Sequence, residues 1–177
     1  LETGRIGKMQ LRNRIIMPPM ATEFATQEGY VTEQLLDYYE ERAKGGVGLV
    51  IVEASCVDYP RGKSMRGQIS LGDDAFLPGL EKLAGVIKKH GAVAAIQLHH
   101  AGNAAKIAVT GIQPVSSSPL ARQGGDIPRE LSLEEIQGLI HCYAQAAKRA
   151  QNAGFDGVEI HAGHQFIIAQ FLSSAWN

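Results

Sequence analysis

Four short runs rich in valine, isoleucine and alanine recur along the chain: RIIM at 14–17, VGLVIVEAS at 47–55, AVAAIQL at 92–98 and GVEIHA at 157–162. Their apolar residues follow one another instead of alternating with polar ones, so strands formed there have both faces covered. Parallel sheets flanked by helices meet that condition, and the intervening segments have helical patterns. Residues 33–44 follow Thr32 as N-cap and close at Gly45-Gly46, and residues 76–90 close at Gly91. The third helix starts firmly, because Ser132 and Glu135 form an S-x-x-E capping box. Its stripe is Ile136, Leu139, Ile140, Tyr143, Ala147 and Ala150, and Gly154 marks its end.

This β-α-β-α-β-α-β order admits an open doubly wound sheet or a (β/α)8 barrel. The loops favour the barrel. Connections after strands are long and polar or glycine-rich, at 18–31, 55–72 and 99–131, whereas the returns from helix to strand are short. Barrel enzymes place their sites in the longer set. No G-x-G-x-x-G follows a strand and opens a helix, as an open dinucleotide-binding sheet requires. A full barrel takes about 250 residues, and four strands leave two unpaired edges. Residues 1–177 are therefore expected to be an incomplete single domain, about the first four β/α units of a (β/α)8 TIM barrel.

With 45% hydrophobic and 20% charged residues, the composition is that of an ordinary soluble globular domain. Its 17 Lys and Arg nearly cancel 18 Asp and Glu without a long run of either sign, so nucleic acid is not an expected partner. The apolar run Val47–Val52 falls far short of the roughly 20 residues of a membrane span. The opening LETGRIGKMQLRN has no hydrophobic signal core, and a cytoplasmic location is the expectation. Cys56 and Cys142 lack C-x-x-C spacing and read as core thiols.

Barrel enzymes carry catalytic groups where strands end. Those positions hold Pro18, Pro19, Met20, Ala21 and Thr22; Glu53, Ala54 and Ser55; Gln97, His99 and His100; and His161 and His164. Several have ordinary structural readings. Gln97 can satisfy backbone groups, either of His99 and His100 can be a packing histidine, and Pro18-Pro19 can be a rigid strand exit. A carboxylate at Glu53 needs a partner if buried. His161 and His164, three residues apart at a strand end, can turn two donors toward one carbonyl or phenolate oxygen. H-x-x-H supplies only two ligands, short of a zinc site, and no metal is expected.

Four segments, in order, resemble the old yellow enzyme and 2,4-dienoyl-CoA reductase family of NADH:flavin oxidoreductases. They are NRIIMPPM at 13–20, EQLLDYYEERAKGGVGLVIVEAS at 33–55, IQLHHAGN at 96–103 and GFDGVEIHAGHQFIIAQFLSS at 154–174. The resemblance covers essentially the whole chain. It implies an FMN-binding barrel that passes hydride from NADH or NADPH, through the flavin, to the C=C of an α,β-unsaturated carbonyl compound or enoyl thioester. It implies that Pro18, Pro19, Met20 and Ala21 lie along the flavin, with Ala54 a backbone neighbour. Gln97 would bond the pyrimidine edge, and His161 and His164 would grip the activating oxygen of a small-molecule substrate. A homo-oligomer or a complementing C-terminal half is implied as partner. An iron–sulfur cluster and FAD belong only to members with a C-terminal extension.

The chain departs from the family pattern in three places. Phe166 stands where the proton-donating tyrosine is usual, so water or another acid must protonate the product, or the reaction is another oxidation or dehydrogenation. Asn103 replaces the arginine of HAGR. The basic flavin contact and phosphate loops of later strands lie outside these residues, so the half-barrel by itself is expected to bind FMN poorly and to be inactive without its complement.

Overall fold

The structure, a computed structural model, describes residues 1–177 throughout. Strands β1 (Gly4–Ile6) and β2 (Met9–Leu11) form an antiparallel hairpin, followed by β3 (Ile16–Met17), α1 (Glu33–Lys44), β4 (Leu49–Cys56), α2 (Leu77–Lys88) and β5 (Val93–His99). Next come α3 (Ile107–Thr110), β6 (Val115–Ser116), β7 (Arg129–Glu130), α4 (Leu133–Asn152), β8 (Gly157–Ile160) and α5 (Ile167–Leu172). Strands β3, β4, β5 and β8 make one parallel sheet in chain order.

Both faces of that sheet are apolar, as the unbroken runs require. Met17, Val50, Val52, Ala94, Ile96 and Leu98 face the helices, against Leu35 and Tyr39 of α1, Leu80, Leu83 and Ile87 of α2, and Ala146 and Ala150 of α4. On the opposite face Leu49 and Ala95 pack with Leu11 of the hairpin, beside Ile51 and Val93. The register pairs Ala95 with Gly157 and Gln97 with Glu159, so Gln97 and Glu159 share this second face.

The helix boundaries follow the caps. Thr32 accepts from Leu35 N–H at 3.2 Å, and Ser132 with Glu135 forms the full capping box. Gly154 takes φ 87° just past α4. One stripe residue differs from expectation: Ile140 is 57% exposed, and Ala146 takes the buried position. The returns from α1 and α2 are tied by Arg12, which donates to Ala43 O, Val47 O and His90 O. Asn13 donates to Gly46 O at 2.7 Å. Gly48 passes so close that a Cβ would lie 2.3 Å from Asn13 O.

The sheet is open. At its β8 edge Val158 and Ile160 are 40% and 57% exposed, and Ile16 on β3 is 42% exposed. Both cysteines are free, Cys56 fully buried and Cys142 partly so. No helix is long and apolar enough to cross a membrane.

Candidate functional site

Parallel order sets the C-terminal ends of β3, β4, β5 and β8 side by side. At about 5 Å per strand, they form a row roughly 15 Å wide. The sequence-predicted residues occupy this row: Pro18–Ala21 after β3, Ala54 in β4, Gln97 in β5, and His161 just past β8.

The first two positions are joined through Glu53. Its Oε2 accepts from Thr22 N–H (3.2 Å), Thr22 Oγ1 (2.8 Å) and Tyr39 OH (3.2 Å), and its own N–H donates to Tyr39 OH at 2.8 Å. Burial raises the Glu53 pKa, against these hydrogen bonds, which lower it. Oε2 therefore carries all of the carboxyl's hydrogen bonds, which fix the segment after β3, while Oε1 is buried without a partner. In that segment the Met20 and Ala21 N–H groups donate to no protein acceptor, and both residues are exposed.

Gln97 donates through Nε2 to Glu159 Oε1 at 2.7 Å, leaving its Oε1 without a protein donor. The two adjacent histidines separate in role. His100 is structural: its Nδ1 accepts Gly102 N–H at 3.1 Å, and its Nε2 lies 3.4 Å from Asp58 Oδ2. At that separation the Nε2 makes no well-directed hydrogen bond. His99 is fully buried with neither ring nitrogen partnered. Its ring meets Phe166 edge-on at 4.3 Å and His161 at 5.6 Å.

His161 and His164 are brought together, and they bond each other. His164 Nδ1 lies 3.2 Å from His161 Nε2, and His161 Nδ1 accepts Gly163 N–H at 3.3 Å. This pattern assigns the His161 proton to Nε2 and leaves His164 Nε2–H facing outward. Burial, then the neighbouring His164, depresses the His161 pKa, which keeps the ring neutral near pH 7. Phe166 stands 4.8 Å from His161, ring to ring, with no proton to give. No third His, Cys, Asp or Glu joins the pair in a group that would hold a metal ion.

Sequence reasoning missed Arg122, in the long loop after β5. Its Nη2 donates to His164 O at 2.9 Å and also to Gln165 O. No periodicity or motif marks it. A cavity of about 800 Å³ between the hairpin and β3, lined by Arg5, Arg12 and Arg14 among others, lies at the opposite end of the sheet from this chemistry.

The chain is 46% identical over 176 residues to an NADH oxidase of Thermoanaerobacter brockii, covering 98% of this chain and 27% of that protein. It is 39% identical over 177 residues to an NADPH dehydrogenase of Clostridium acetobutylicum, covering 99% of this chain and 51% of the relative. Among solved structures, morphinone reductase superposes with a TM-score of 0.92 at 30% identity, over 99% of this chain and 50% of its own. The chain thus spans between about a quarter and about half of these proteins' lengths. The family pattern of the NADH:flavin oxidoreductases and NADH oxidases matches residues 4–177, and the chain belongs to that family.

Proposed function

We propose that these residues supply the first four β/α units of a (β/α)8 barrel and the substrate-binding face of an FMN-dependent NAD(P)H oxidoreductase. The observation that carries this reading is the row of strand ends, where free donors and acceptors gather above an apolar sheet. The groups present fit a flavin ring edge. Met20 and Ala21 offer unpaired N–H donors and Gln97 an unpaired Oε1, matching a heterocycle whose edge both accepts and donates. Pro18, Pro19 and Ala54 flank them as neighbours with little side-chain bulk.

FMN, when bound, supplies the hydride-transfer chemistry between NADH or NADPH and the substrate. His164 offers Nε2–H to a carbonyl or phenolate oxygen. His161 offers a second N–H once that oxygen takes the place of His164 Nδ1 as its acceptor. Both donors matter most when the oxygen gains enolate-like charge, so they stabilise the transition state more than the ground state. Their target is an α,β-unsaturated carbonyl compound or an enoyl thioester. The α-carbon's proton comes from water or from another acid, since Phe166 has none.

A second reading, favoured by Phe166, is an oxidase or dehydrogenase of the same barrel class that passes electrons to another acceptor. In either reading the exposed Val158 and Ile160 are covered by the rest of the barrel or by a second copy. An iron–sulfur cluster or FAD would enter only with a C-terminal extension.

The test is the absorbance spectrum of the full-length protein, purified without added cofactor, before and after anaerobic NADH or NADPH. Flavin bands that bleach and then return with a conjugated enone support ene reduction. Bleaching without reoxidation by enones supports the second reading, and no flavin after reconstitution overturns both.

A further inference from the structure

The loop carrying the two histidines is held in a shape its residues do not favour. His164 and Gln165 take left-handed backbone conformations, with φ 51° and 57°. Non-glycine residues adopt these rarely, so neighbouring structure must impose them.

That structure is a side-chain network. Arg122 Nη2 bonds the carbonyls of both strained residues. Gln170 Nε2 bonds the second at 2.6 Å. The guanidinium is aimed in turn: Arg122 Nε donates to Asn103 Oδ1 at 2.8 Å, and that oxygen also accepts from Gln170 Nε2 at 2.8 Å. Gln170 Oε1 accepts from Asn103 N–H at 3.2 Å and Ser116 Oγ at 2.9 Å. Gln170 and Asn103 are 0% and 1% exposed, so this base is buried. Gly102 leaves room for it, since a Cβ there would lie 2.2 Å from Gln170 Oε1. Arg122 also lies over the Phe166 ring, 5.6 Å from its centroid.

We propose that Arg122 is a positioning residue for His164: it binds the two carbonyls, fixes the left-handed backbone, and so aims the His164 imidazole at the substrate oxygen. This rests on the reading of His161 and His164 as the oxygen clamp. A guanidinium suits the task because its fork is planar, always charged and able to serve neighbouring acceptors at once, whereas an ammonium is a single flexible point. Asn103, the departure from the HAGR pattern, is the acceptor that orients it.

The experiment compares full-length flavoprotein as wild type, Arg122→Gln, Arg122→Lys, His164→Asn, and Arg122→Gln with His164→Asn. Each is titrated with p-hydroxybenzaldehyde, followed by the absorbance change of the bound flavin, and its thermal midpoint is recorded. Arg122→Gln is expected to weaken phenolate binding about tenfold, the size of one lost charge-assisted contact, with the midpoint little changed. Arg122→Lys recovers part of the loss. The double variant binds no more weakly than His164→Asn alone, because both act through one imidazole. Wild-type affinity in Arg122→Gln beside a weakened His164→Asn overturns the positioning role alone, as do fully additive losses. Wild-type affinity in His164→Asn overturns the clamp reading, and the role of Arg122 with it.

Discussion

His99 puts a titratable group where water does not reach, and this sets a pH dependence. Burial, with the neighbouring His100 and His161, lowers its pKa from 6.5 to about 3. Between those values the unfolded chain takes up a proton that the folded chain refuses, so this contribution to stability is complete above the unfolded pKa and declines as pH falls toward the folded one. His99→Phe is expected to flatten the decline in unfolding midpoint between roughly pH 6.5 and 4. Matching slopes for variant and wild type assign that decline to other groups. Phe166 allows a second prediction. Phe166→Tyr places a phenolic proton beside His161, and a positioned acid typically contributes roughly 10²–10⁴-fold. Reoxidation of the reduced flavoprotein by an enone is expected to speed up at least about tenfold, as read by stopped-flow absorbance. An unchanged rate means that the proton already arrives efficiently by another route. Neither residue's environment was legible in the sequence: His99 and His100 are adjacent and alike, and only strand direction sends one to the Phe166 ring and the other to Asp58.

The elements divide by whether their signals are local. Thr32, Ser132 and Gly154 mark helix ends because capping is a contest among a few neighbouring groups. Ser132→Ala removes the oxygen that accepts Glu135 N–H, leaving only the backbone half of the capping box, residue 132 N–H to the Glu135 carboxylate. A loss of about 1 kcal/mol is expected in chemical denaturation, and none at all would mean that the first turn of α4 is held by packing alone. Gly48→Ala is expected to cost more, because the Cβ meets fixed backbone at Asn13 instead of a movable side chain. The hairpin β1–β2 and the pair β6–β7 escaped notice for the opposite reason. Strands of two or three residues carry too little periodicity to read, and their pairing is decided by contacts such as Leu11 on Leu49 and Ala95. Ile140 shows the same limit: the helical period puts it near the apolar stripe, but only α4's partners decide that Ala146 faces inward.

At the scale of the molecule, the residues at the strand ends were legible because parallel order alone brings them into one row. The side chains that hold the row in shape were not. Arg122 reaches the His164 carbonyl across 42 residues of sequence, and Gln170 reaches Asn103 across 67, from segments without a repeating pattern. The apolar edges of the sheet are also open. Ile16 at one edge and Val158 and Ile160 at the other remain solvent-exposed, and strands at both edges retain unpaired backbone groups. On the proposed reading, the donors at Met20 and Ala21 and the acceptor at Gln97 come with no group here assigned to the phosphate of FMN. Produced by itself, the 177-residue polypeptide is therefore expected to associate in a concentration-dependent way, to bind an apolar dye, and to hold FMN far more weakly than the full-length protein. Adding the complementary half should reverse all three together, since one closing event covers the edges, buries the apolar face and completes the flavin site. Sedimentation, dye fluorescence and flavin fluorescence on the same samples separate the cases. A dye-silent monomer at micromolar concentration would show that the open sheet is stable as it stands, whereas flavin binding restored without loss of dye binding would place the phosphate contacts, and not sheet closure, in control of cofactor affinity.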